Sequence, residues 1–330
     1  MLTACQTKPF ISSSVYLSSY LSFACQTVLL MLLFVGSARN SAAMGLSIAP
    51  AAEQCGIVEV AQSPPAAASK RIAGSQAVRG QKDIAWVWLG SPTLRYPHTA
   101  LGAATHAGSL HVLTNESATG ARGRLQAISY ELPLNRVFED RVPRLADLDG
   151  DGRDEIIVIE SDAVKGSALV VLGLKAGKLV EIARSVSTGS TFRWLNPVGV
   201  ADFDGDGKLD VASVTTPHVG GILTLHHFTP PKLEPYARAM DVSNHRMGAL
   251  EQQLAVIVEK AGARATIIVP DMQLKALHAL RWEAPGQWKE LADVMPLQAT
   301  VQRLTPLAPL AGGVCLLLTD KSWWKVQLNQ

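Results

Sequence analysis

Residues 200–214 read VADFDGDGKLDVASV, and residues 145–159 read LADLDGDGRDEIIVI. Within nine positions the later stretch holds Asp202, Asp204, Asp206 and Asp210, and the earlier one holds Asp147, Asp149, Asp151 and Glu155 at matching places. Acids at every second residue, with glycine at the fourth and sixth positions, let the chain curl until alternate carboxylates converge, because glycine accepts positive φ. An oxygen-only donor set suits a hard cation, and the lack of histidine or cysteine in either stretch favours calcium over zinc or copper. Left bare, three or four carboxylates a few ångström apart would repel one another. A single DG corner is ordinarily a hairpin turn, but two full copies, each feeding a strand, go beyond that. An EF-hand is excluded: its twelfth position is a bidentate Glu, whereas here it is Val158 or Ser213, and each loop runs into an apolar strand instead of a helix.

The flanks of the two knots align as well. Each copy has a strand into the knot, an apolar strand out of it, a glycine-containing turn, a third strand, and a strand opening on Lys-Leu (Lys178-Leu179 and Lys232-Leu233). This predicts a four-stranded antiparallel unit of about fifty residues, the size of a propeller blade. Weaker copies without the acids lie on either side, so that units counted from about residue 95 number five, with six or seven requiring further segments. The last unit ends after three strands. IAWVWLG (84–90) is predicted to supply the fourth, with Trp86, Trp88, Trp323 and Trp324 sealing the join. Runs such as IIVI (156–159), TIIV (266–269) and CLLL (316–318 with Cys315) are continuous, not alternating, which requires both faces of the sheet to be covered. The fold class is all-β, a β-propeller. Only APGQWKELADVM (284–295) reads as one or two helical turns.

On these residues the chain resembles the FG-GAP or VCBS-type repeats of integrin α-subunit-like β-propellers, chiefly over 143–245. The resemblance implies two structural calcium sites. One would be held by Asp147, Asp149, Asp151 and Glu155 with the carbonyl of Arg153, the other by Asp202, Asp204, Asp206 and Asp210 with the carbonyl of Lys208. The chain departs from the family in lacking clear FG…GAP pairs and in lacking the acids in three of its five units.

Composition bounds the rest. Of 330 residues 18 % are charged and 48 % apolar, and the net charge is only +2, so nothing in the balance points to nucleic acid or an anionic membrane surface. No charge lies between Lys8 and Arg39, TVLLMLLFVG (27–36) forms an apolar centre, and small residues follow. Residues 1–43 read as a cleaved secretory signal or, alternatively, a retained membrane anchor; either places the body outside the cytoplasm. Residues 44–82, rich in Ala, Pro, Ser and Gly, read as a tether, and 83–330 as the propeller. Cys5 and Cys25 fall in the leader. Cys55 lies in the tether and Cys315 reads as a buried apolar residue, so no disulfide framework is expected.

No nucleophile elbow, phosphate loop or metalloprotease helix is present. The histidines are scattered, and His226-His227 on a strand must point to opposite faces, with ordinary packing or exposure expected for both. The function expected is a calcium-stabilised, exported, non-catalytic module or scaffold that binds a protein or a glycan, with the membrane involved only through an anchor. The alternative is a propeller-type polysaccharide lyase or hydrolase, which a cluster of His, Arg and Tyr at one mouth of the channel would favour.

Overall fold

Residues 45–51, 55, 63–115, 126–260, 262–307 and 313–329 are described by a computed structural model, within the compact unit Ala42–Gln330. The leader expected over 1–43 lies outside the described residues. Strand β1 (Gly45–Pro50) comes first. The first four-stranded unit then comprises β2 (Val78–Arg79), β3 (Ile84–Thr93), β4 (His106–Thr114) and β5 (Ala127–Glu131). A short β6 (Arg136–Phe138) bonds to both β4 and the second unit. That unit is β7 (Arg144–Ala146), β8 (Glu155–Asp162), β9 (Gly166–Lys175) and β10 (Lys178–Arg184); the third is β11 (Leu195–Ala201), β12 (Asp210–Thr215), β13 (Ile222–Thr229) and β14 (Lys232–Met240). The fourth is β15 (Val256–Lys260), β16 (Ala263–Pro270), β17 (Ala276–Ala284) and β18 (Gln287–Glu290), followed by β19 (Met295–Pro296). The fifth contains β20 (Val301–Pro306), β21 (Gly313–Leu318) and β22 (Trp323–Asn329), and its outer strand is β1. Among the described residues, five antiparallel four-stranded blades make this a β-propeller.

The continuous apolar runs have a direct explanation. On β8, Ile156 and Val158 pack with Val87, Leu110 and Val112 of the first unit, while Ile157 and Ile159 pack with Trp194, Leu195 and Val211 toward the third. Successive side chains of one strand thus enter two different cores, and both must be apolar. The outer strand β10 alternates instead, because one of its faces meets water.

Four expectations are corrected here. The fourth strand of the last unit is β1, not residues 84–90: Gly45 pairs with Asn329 and Pro50 with Trp324, so the stretch read as a tether begins inside the sheet. Strand β3 belongs to the first unit, and its Trp88 packs against Ala68 of the 3-10 helix Ala66–Lys70, so the tryptophan pairs do not meet at a join. Residues 284–290 form the β17–β18 hairpin, turned at Pro285-Gly286 with Gly286 at φ 74° and Trp282 paired with Trp288; the glycine's positive φ closes the hairpin where a helix would need αR backbone. Cys55 and Cys315 are also bridged, with Cα atoms 5.8 Å apart, which ties the chain just after β1 to β21.

Because each unit is antiparallel, its first-to-second and third-to-fourth connections emerge at one end. The second-to-third connections and the links between units emerge at the other. Both knots lie on first-to-second connections, β7 to β8 and β11 to β12, and so share an end.

Candidate metal centre

The curl predicted for each knot is present. Gly150 and Gly152 have φ of 75° and 85°, and Gly205 and Gly207 have 81° and 83°. Backbone N–H groups are drawn inward in the same pattern in both copies. Gly152 donates to Asp147 (3.1 Å) and Gly207 to Asp202 (2.9 Å). Asp151 donates to Asp149 and Asp206 to Asp204, at 3.2 and 3.0 Å, and Arg153 to Asp151 and Lys208 to Asp206, at 2.9 and 2.8 Å. Arg153 and Lys208 therefore also tie the knots through their N–H groups. One carboxylate oxygen each from Asp147, Asp149 and Asp151 lies within 4.8 Å of the others, and the same holds for Asp202, Asp204 and Asp206.

The ninth-position acids behave differently from these three. Glu155, the first residue of β8, is buried and accepts the Leu148 N–H at 2.8 Å; burial pushes its carboxyl up to about 7. Asp210, the first residue of β12, is buried too, and burial raises its carboxyl above the usual range. Its Oδ1 faces Nδ1 of His227 at 3.0 Å, and its Oδ2 accepts the Tyr236 hydroxyl at 2.7 Å and the Phe203 N–H at 3.4 Å. Tyr236 stacks on the His227 ring, 3.9 Å between centroids and 12° between planes.

Two contributors lie outside both motifs. Lys82, in the turn between β2 and β3, extends its ammonium to Asp147 and holds that carboxyl below its ordinary range. His227 brings an imidazole to the second knot, so the expectation of a purely oxygen environment holds for the motif's own residues and not for its surroundings. Its alternation with His226 was legible; the pairing of Asp210 with His227 across β12 and β13 was not. A groove of about 620 Å³ lies between the knots, walled by Asp147, Asp149, Asp206, Asp210 and His227.

The donor sets fit a divalent cation. In the first knot Asp147 Oδ1 is buried without a hydrogen-bond partner, an arrangement a cation would relieve. A carboxylate oxygen that accepts one N–H keeps a second lone pair, so the converging acids can still offer oxygens to an ion.

Residues 147–213 match the model of the FG-GAP-like repeat. The match begins on the first acid of the first knot and ends within β12, so it spans both knots and strands β8 to β11 between them. Among solved structures the chain is similar to one described as "Crystal structure of BBS1N in complex with ARL6DN, soaked with mercury", at 12 % identity and a TM-score of 0.38, over 79 % of this chain and 68 % of that one. No curated protein matches it.

The end opposite the repeat's knots has its own cluster, missed in the sequence because its members are spread over 150 residues. His98 Nδ1 lies 2.5 Å from the buried Glu139, which also accepts the Ser161 hydroxyl at 2.6 Å. His98 stacks on Phe192, whose N–H donates to the Tyr96 hydroxyl. His245 Nε2 faces the Ala249 carbonyl at 3.0 Å and must carry the proton there; its Nδ1 then accepts from His218 Nε2 at 2.8 Å. Burial drives His218 down to about 4 and His245 to about 3, so both are neutral near pH 7 and His218 Nδ1 is left as an acceptor. Loops from different units meet here: Trp194 donates to the Glu139 carbonyl and Gly248 to that of Ala100.

Proposed function

We propose that this is an exported, calcium-stabilised β-propeller that acts as a non-catalytic binding module, with calcium in both knots and a protein partner at the opposite end. The observation that carries this reading is the distribution of exposed apolar side chains. Apart from Ile48 on β1, every large apolar side chain exposed among the described residues sits at the end away from the knots, including Leu94, Val164, Val186, Phe192, Val219 and Met247. Exposed apolar groups gathered at one end are costly in a free monomer and mark interaction sites. The carboxylate-lined end, by contrast, has groups suited to ions. Calcium bound there by Asp147, Asp149 and Asp151, and by Asp202, Asp204 and Asp206, would hold the loops rigid, with the Arg153 and Lys208 carbonyls completing the sets.

Export is supported by the leader pattern and by the Cys55–Cys315 bridge, since disulfides persist in oxidising compartments. Among the described residues no helix is long and apolar enough to cross a membrane. The test is affinity capture from the native envelope with calcium present, comparing the wild-type chain with a Phe192→Ser, Val219→Ser double variant. A specific protein retained by the first and lost by the second supports the reading. Capture that is indifferent to the substitutions, or a glycan bound in place of a protein, refutes the protein partner.

A second reading is favoured by the cluster of His98, His218, His245, Tyr96 and Glu139 at that same end. It is an enzyme acting on a polysaccharide, with the His218 Nδ1 lone pair as a general base. Turnover of a glycan panel that disappears in His218→Gln would select this reading over the first.

A further inference from the structure

The two knots have similar acids and different surroundings. Strand pairing sets Asp210 directly across from His227 on β13. In the second unit Ile156 pairs with Leu172, so the position across from Glu155 is Gly173, where a side chain would collide with Ile182. The first knot therefore has no room for an imidazole, and its additional neighbour is the Lys82 ammonium. The second knot has an imidazole fixed on two sides: Asp210 faces its Nδ1, and Tyr236 stacks on its ring while donating to the other Asp210 oxygen.

A carboxylate oxygen can only accept from the ring, so the Nδ1 position carries the proton and Nε2 keeps its lone pair. That nitrogen lies 3.9 Å from Asp204 Oδ2. Two ligands bonded at about 2.0–2.2 Å to one tetrahedral ion stand roughly 3.3–3.6 Å apart, so a side-chain adjustment of a few tenths of an ångström brings this pair to bridging distance. An imidazole held through one nitrogen by a carboxylate, with the other nitrogen directed at a carboxylate oxygen, is the arrangement that metal-binding histidines use.

We propose that the second knot, besides holding calcium through its acids, is a mixed nitrogen–oxygen site that takes a first-row transition cation, zinc or manganese in class, in calcium's place through His227 Nε2 and Asp204, while the first knot takes only hard cations. Asp210 and Tyr236 are positioning residues for His227. With Oδ1 on the His227 ring and Oδ2 on the Tyr236 hydroxyl, Asp210 is assigned to holding the imidazole in place. Imidazole raises affinity along the series from manganese to zinc far more than it does for calcium, so the pair of knots would discriminate between ions on one surface of the molecule. This inference rests on the reading of the knots as cation sites.

The test uses the full chain and cobalt(II) as a spectroscopic stand-in for zinc, in the presence of excess calcium. The wild type is expected to develop a visible cobalt absorption that zinc displaces. His227→Gln should lose that band, with zinc affinity falling at least about tenfold, and Asp210→Asn should lower the affinity about 10–100-fold, the usual cost of removing such a partner. Asp147→Asn in the first knot should leave the band unchanged. Nitrogen-15 shifts of the His227 ring should show Nε2 metallated and Nδ1 protonated. A band that survives His227→Gln, or its absence at millimolar cobalt while calcium still binds, overturns the inference alone. Failure of both calcium and cobalt to bind would instead overturn the cation reading of the knots.

Discussion

Lys82 and Asp147 form an ion pair that links the turn before β3 to the first carboxylate knot, in the next blade. The ammonium neutralises one carboxylate of the knot and competes for it with any divalent ion. Lys82→Met should therefore have two opposite effects. Without calcium the melting temperature should fall, because the acids of the knot lose a countercharge; with calcium the increment in melting temperature should be larger than in the wild type. Calorimetric melts of the two proteins in chelator and in calcium check this. Equal increments would show that Lys82 does not engage the site.

The Cys55–Cys315 bridge fastens the chain next to β1, a six-residue strand held on one side only, by β22. The bridge closes a loop of 260 residues, and long closed loops restrict the unfolded chain most. Cys55→Ser should lower stability by about 2–5 kcal/mol. Protease susceptibility near residue 50 should rise along with it, as β1 detaches. Unchanged melting in a reductant would contradict this role.

Stability should also decline in mild acid. The buried histidines His226 and His245 have their folded values pushed down to about 4 and about 3, against 6.5 when unfolded. The unfolded chain then binds protons that the folded one refuses, so this contribution is fully present above pH 6.5 and is lost as the pH falls from 6.5 toward 4. Each should add a slope of about 1.4 kcal/mol per pH unit in that window. Denaturant midpoints between pH 7 and 4.5 provide the check, and His245→Asn should flatten the curve. A midpoint independent of pH across that range would contradict the assignment.

The residues that made the fold legible are those whose partners are local. The IIVI run of β8 announced two covered faces, and both knots announced their curl, because glycine and aspartate spacing act within a dozen residues. Elements whose partners are distant were not legible. GLSIAP offers two large apolar side chains and no turn signal, yet it completes the last blade because β22, nearly 280 residues on, lacks an outer neighbour. The disulfide follows from that same placement and could not be read before it. The hairpin at 284–290 was mistaken for helix because its Trp, Lys and Glu suit either state, and only Pro285-Gly286 decides between them. His227 reached the second knot through the register of β12 on β13, which sequence spacing does not encode. The histidine cluster at the far end has the same cause, since its members come from connections in separate units.

If the converging acids of the two blades clamp calcium, the ion stabilises the propeller. The most direct measurement is a thermal melt of the purified chain against free calcium, alongside an Asp149→Asn, Asp204→Asn double variant. Calcium is expected to raise the melting temperature of the wild type, with half-saturation at roughly 10⁻⁴–10⁻³ M, a chelator to lower it, and the variant to respond to neither. A wild-type melt indifferent to both calcium and chelator would contradict the calcium clamp.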